Sequence, residues 1–145
     1  MKLPRDFEDL LRLLGEHCVE YAIVGGYAVA RHGHPRFTGD LDVLVRPGGE
    51  NAHRLLRALT EFGFGSVGLT VQDFLEPGCV VQLGVPPLRV DLLTSIEGVS
   101  NDEVFSHLVV DSNEDPPLRF ISREDLIRNK RAAARPQDIA DLDCL

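Results

Sequence analysis

Three aspartates stand in segments otherwise suited to a protein interior. Asp40 and Asp42 bracket Leu41 in "GDLDVLV" (39–45), and Asp91 sits in "LRVDLL" (88–93). Side chains alternate along an extended strand, so Asp40 and Asp42 are expected on one side and Leu41 and Val43 on the other. Two carboxylates held that close repel each other and lose hydration unless a cation compensates. Mg²⁺ prefers hard oxygen ligands and is commonly shared between a few carboxylates and substrate phosphates. With Asp91 on a neighbouring strand, the three acids would hold two cations about 3.5–4 Å apart, as two-metal phosphoryl-transfer sites do. One cation would activate an attacking hydroxyl, and the other would neutralise the nucleotide phosphates and the departing pyrophosphate.

The pair Gly25-Gly26 closes the apolar run "YAIV" (21–24). Glycines at a strand-to-helix junction let backbone N–H groups approach a phosphate, and the new helix N-terminus favours negative charge. Gly25 and Gly26 are therefore expected to cradle a triphosphate. The GxxxxGK[ST] spacing of a Walker loop is absent. Lys130 is a further candidate. The chain has 13 arginines and two lysines, and a compact ammonium reaches a phosphate as a point charge. A phosphate contact and a solvated helix charge both fit Lys130 at this point. Asp138 and Asp141 read either as helix-face residues or as partners of Arg135.

The elements that must position these groups follow from periodicity. Phe7, Leu10, Leu11, Leu14 and Cys18 fall at helical spacing behind Pro4. A short strand "YAIV", a helix "YAVARHG", a strand "DLDVLV" and an amphipathic helix "ENAHRLLRALTEFGF" come next. "CVVQLGV" and "LRVDLL", separated by "PP", predict antiparallel strands, and "NDEVFSHL" predicts a short helix. "LRFISREDLIRNKRAAA" predicts a strand entering a helix through a Ser122-x-x-Asp125 cap. Pro136 ends or kinks that helix, and "QDIADLDCL" adds a last turn or two. The sum is an α/β (α+β) fold, a short mixed sheet with helices packed on it, as one domain over 1–145 with a C-terminal helical segment 122–145.

Composition sets the outer bounds. A chain of 145 residues, 43% hydrophobic and 26% charged, suits a folded domain rather than a disordered one. No apolar run approaches the roughly 20 residues needed to span a bilayer, and the N-terminus is acidic for a signal peptide. The expectation is a cytoplasmic protein with no membrane partner. Cys18, Cys79 and Cys144 are odd in number and widely spaced, which predicts two buried thiols and a tail cysteine rather than disulfides or zinc. The net charge of −8 argues against non-specific coating of nucleic acid. Six cations against two acids between Arg119 and Arg135 nevertheless offer one basic segment. His32 and His34 read as loop polar groups, and Phe62 and Phe64 as core.

Val24-Gly25-Gly26, a thirteen-residue spacer, Asp40-Leu41-Asp42-Val43 and then Val90-Asp91-Leu92 together resemble the nucleotidyltransferases of the DNA-polymerase-β superfamily. "GGYAVARHGHPRFTGDLDVLV" and "SREDLIRNKRAAARPQDIADL" look most like the small bacterial nucleotidyltransferases related to abortive-infection toxins. The resemblance implies a polymerase-β-like fold, dependence on Mg²⁺ (or Mn²⁺), and transfer of a nucleoside monophosphate from an NTP to an RNA, protein or small-molecule acceptor. It implies Asp40 and Asp42 as metal ligands, Asp42 bridging both ions, and Asp91 as the acid that helps activate the acceptor hydroxyl. It sets Arg36 and Thr38 near phosphates, places Lys130 near the nucleotide, and leaves room for a partner protein or homodimer to complete the site. The same residues suit a non-catalytic, antitoxin-like regulator that binds a nucleotide or a partner. A purely structural reading makes the three acids surface or ion-paired residues.

Overall fold

The computed structural model describes residues 3–33, 35 and 38–145. Its element order is α1 (Arg5–Glu16), β1 (Tyr21–Val24), α2 (Gly25–His32), β2 (Leu41–Val45), α3 (Gly49–Leu59), β3 (Val80–Leu83), β4 (Val90–Leu93), α4 (Asn101–Ser106), β5 (Val109–Asp111), β6 (Leu118–Phe120), α5 (Arg123–Ala133) and α6 (Pro136–Leu142). The fold is α+β, with six strands in one mixed sheet ordered β3-β4-β2-β1-β6-β5. β2 runs antiparallel to β1 and parallel to β4. No helix among the described residues is long and apolar enough to cross a membrane.

The registers explain how an apolar sheet carries acids. Ile23, Val43 and Leu92 stand side by side across β1, β2 and β4 and are fully buried. Burying each such side chain stabilises the fold by about 1.5–3 kcal/mol. One position along, and so on the opposite face, Val24, Asp42 and Asp91 form the next row. The buried row fixes the register, because a slip by one residue would bury the acids and expose the aliphatic side chains.

Several boundaries differ from the periodic reading. α1 stops at Glu16, so Cys18 lies beyond it with φ of 57° and is exposed, while Cys79 and Cys144 are half-buried; all three are free thiols. α2 starts at Gly25 itself, because φ of 66° there turns the chain straight from strand into helix. β2 begins at Leu41, leaving Asp40 in the bend before it. α3 loses its regular path after Leu59, in a wide turn where Gly63 has φ of 117°. Phe62 and Phe64 pack against the core there, as expected of them.

The 3₁₀ turn at Val71–Phe74 is opened by a Thr70-x-x-Asp73 capping box, while the edge strand β5 has no clear sequence signal. β3 and β4 pair antiparallel as expected. The Ser122 hydroxyl caps α5 by accepting from the Asp125 N–H at 3.1 Å. Ala134 then adopts a left-handed conformation and Pro136 opens α6, so the proline starts a new helix rather than bending an old one.

Candidate active site

Asp42 on β2 and Asp91 on β4 are direct partners in a parallel ladder, on strands about 4.8 Å apart. Asp40, one bend upstream, joins them through Arg89: the guanidinium Nη2 lies 2.6 Å from Asp40 Oδ2, and Nε lies 3.3 Å from Asp91 Oδ1. The three acids therefore meet at one place rather than on opposite faces of the sheet, and Asp40 and Asp91 are at the same time ion-paired with Arg89, as the structural reading expects of them. Arg89 is the residue that sequence reasoning missed. Its signal was available, since Arg89 precedes Asp91 by two positions and so shares its face on an extended chain.

Burial, followed by the charges of Asp91 and Asp40 and a hydrogen bond with Asp91, pushes the Asp42 carboxyl up to about 7; Lys130 opposes the shift. Gly25 explains why the β1–α2 junction needs glycine. A Cβ there would lie 2.2 Å from Asp42 Oδ2, and φ of 66° disfavours any L side chain. Gly25 thus makes room for the acid, and the amides at the start of α2 have no partner within the helix. Gly26, buried in the first turn, faces the same cleft.

That cleft holds about 820 Å³, the size range of small-molecule sites. Asp40, Asp42, Asp91, Gly25 and Gly26 line it together with Cys79, Val80, Ile96, Lys130 and Arg135. Thr38 accepts a hydrogen bond from the Tyr27 hydroxyl through its carbonyl at 3.3 Å, and it is not among the lining residues of the cleft. Arg36 and His34 lie outside the described residues. His32 ends α2, where its Nε2 donates to the Ile121 carbonyl at 2.7 Å and ties that helix to the β6–α5 link.

Lys130 is not a solvated helix charge. It is buried, with Nζ 2.9 Å from Asp138 Oδ1 and 3.1 Å from Asp141 Oδ2, both acids buried as well. Arg135 adds a contact of 2.7 Å from Nε to Asp138 Oδ2. Burial raises the Asp138 carboxyl, but hydrogen bonds from Arg135 and Lys130 outweigh it and hold the group at about 2. The ammonium expected to meet a phosphate is thus already paired where it borders the cleft. Three of the six cations of the basic segment are ion-paired in this way: Arg128 with Glu103 and Asp125, and Lys130 and Arg135 with acids of α6.

Among the described residues no group of three or more His, Cys, Asp or Glu side chains is arranged to hold a metal ion. Arg89 bridges Asp40 and Asp91 at this place. The donor set still fits a hard divalent cation in kind. It offers three carboxylates, one of them driven toward protonation by burial and then by the charges of its neighbours, and a buried Asp91 Oδ1 with no hydrogen-bond partner.

Neither a protein-family model nor a curated protein matches the sequence. Among solved structures, the chain is similar to the aminoglycoside nucleotidyltransferase ANT(2'')-Ia in complex with adenylyl-2''-tobramycin. The TM-score is 0.59 at 17% identity, covering 95% of this chain and 84% of that one. The chain has a nucleotidyltransferase-like fold. At that identity the likeness speaks for the arrangement of helices and sheet, and the chemistry has to come from the acids themselves.

Proposed function

We propose that this chain is an Mg²⁺-dependent nucleotidyltransferase that moves a nucleoside monophosphate from an NTP to an acceptor hydroxyl. The observation that carries this reading is the adjacency of Asp42 and Asp91 beside Asp40, at the mouth of a glycine-bordered cleft on a nucleotidyltransferase-like fold. Asp40, Asp42 and Asp91 would hold the divalent ions, which when bound draw charge from the phosphates and acidify the acceptor hydroxyl. The amides of Gly25 and Gly26 receive the triphosphate. Asp91, the partner of Asp42 across the ladder, would take the acceptor proton. The acceptor oxygen bonds to the α-phosphorus as the bond to the bridging oxygen breaks, and pyrophosphate leaves with the electron pair.

The acceptor is RNA, a protein or a small molecule. Tobramycin carries the nucleotide in the ANT(2'')-Ia complex, so aminoglycosides belong in any acceptor screen. Placement in a toxin–antitoxin or abortive-infection system rests on the sequence likeness of the glycine–aspartate stretch and the C-terminal helices.

The test is incubation with each labelled NTP, Mg²⁺ or Mn²⁺, and cellular RNA, protein lysate or aminoglycosides. Label transfer that disappears in Asp40→Asn, Asp42→Asn and Asp91→Asn variants supports the enzyme. One observation favours a second reading, a nucleotide- or partner-binding regulator without turnover: Arg89 already neutralises Asp40 and Asp91. Nucleotide binding with no transfer to any acceptor would establish that regulator.

A further inference from the structure

Arg89 stands where a cation is called for. Its Nη2 reaches Asp40 Oδ2 at 2.6 Å, and the same nitrogen donates to Asp91 Oδ2 at 3.4 Å. The pairing with Asp91 is loose. Arg89 Nε and Asp91 Oδ1 are buried 3.3 Å apart, yet neither has a hydrogen-bond partner, so charge rather than a well-formed bond holds them. About a third of the guanidinium side chain is exposed, on the cleft side. The backbone at this point is fixed, because the Arg89 carbonyl accepts from the Leu41 N–H at 3.0 Å. The backbone therefore stays with the sheet while the side chain has open space to turn into.

We propose that Arg89 is a resident counter-cation that occupies the divalent-ion seat between Asp40 and Asp91 and must give up those acids when metal binds. This inference rests on the reading that the three acids bind divalent cations. It adds that the seat is guarded by the chain's own charge, Arg89 itself. A divalent ion and a guanidinium compete for the same carboxylate oxygens, since holding both would bring positive charges within a few ångströms. Free metal then binds weakly, and the affinity lost is the pairing energy of Arg89.

The test is Mn²⁺ titration of the full chain without nucleotide, following the electron paramagnetic resonance signal of free Mn²⁺. Arg89→Gln is expected to bind Mn²⁺ about tenfold or more tightly than wild type, because the competing charge is gone. Arg89→Lys, which keeps a cation in reach, is expected to stay near wild type. Asp42→Asn is expected to abolish binding in either background. Equal or weaker binding by Arg89→Gln overturns the proposal; if Asp42→Asn still loses Mn²⁺, the metal reading survives it. Absence of Mn²⁺ binding in wild type and Arg89→Gln alike overturns both. Should Arg89→Gln not fold, Mn²⁺-soaked crystals of the wild type decide: anomalous density at the acids with Arg89 turned off Asp40 supports the exchange, and the same density with the Arg89–Asp40 pair intact refutes it.

Discussion

Asp42 and Asp91 face each other across the β2–β4 ladder as direct partners in its parallel register. A sheet tolerates like charges in directly opposed positions only with a proton or a cation between them. The consequences of that contact run through stability, metal affinity and catalysis.

The first consequence concerns stability against pH. The Asp42 carboxyl is raised in the folded chain from 3.8 to about 7, chiefly by burial and by Asp91 and Asp40. Between those values the folded chain keeps a proton that the unfolded chain releases, so the stability Asp42 contributes is fully present below about pH 4 and is lost as pH rises toward 7. Asp42→Asn removes this penalty. The variant is expected to gain about 1–3 kcal/mol over wild type on going from about pH 5 to about pH 8. Urea denaturation at both pH values measures it, and parallel curves for the two proteins would contradict the shift.

Protons and metal compete for the same oxygens. Because Asp42 titrates at about 7, Mn²⁺ or Mg²⁺ affinity is expected to rise with pH up to that value and then level off. Isothermal titration across the range checks this; an affinity independent of pH would detach Asp42 from the ion.

Gly25→Ala tests the packing of the glycine against the acid. The added Cβ would meet Asp42 Oδ2 at 2.2 Å on a backbone with φ of 66°. A cost of about 1–3 kcal/mol is expected from the strained conformation. Displacement of the carboxylate by an ångström is expected to lower transfer by about a hundredfold. Thermal denaturation and initial rates separate the two, and an unaffected variant would refute the crowding of Asp42.

Lys130→Met leaves Asp138 and Asp141 buried without their shared ammonium. Removing one partner of a buried ion cluster costs about 3–5 kcal/mol. Adding Asp138→Asn and Asp141→Asn to the Met variant is expected to recover much of that loss. A Lys130 that served only a bound phosphate would show no change in the denaturation midpoint of the nucleotide-free protein.

Local pattern made much of the fold readable. The apolar positions of α1 and α3 repeat at helical spacing, the β3–β4 hairpin is marked by alternation and prolines, and the α5 start is marked by Ser122 and Asp125. Asp42 and Asp91 were legible because each interrupts an apolar run, and Asp40 because it stands at the head of one. The early start of α2 was not, since nothing in "GGYAVARH" announces that Gly25 takes φ of 66° beneath Asp42. β5 escaped notice because an edge strand of three residues carries too few side chains to show alternation.

Periodicity and residue type, which act between near neighbours along the chain, were enough to specify strands, helices and a set of acids bound for one side of the sheet. The charge state of those acids was decided only by tertiary structure. Asp42 is separated by 49 positions in sequence from Asp91 and by 88 from Lys130, yet all act on its proton. The same holds for Lys130, whose burial against Asp138 and Asp141 appears only when α6 folds back along α5. Coulomb energy and desolvation depend on distance through space and on exclusion of water. Neither quantity exists until the chain has folded.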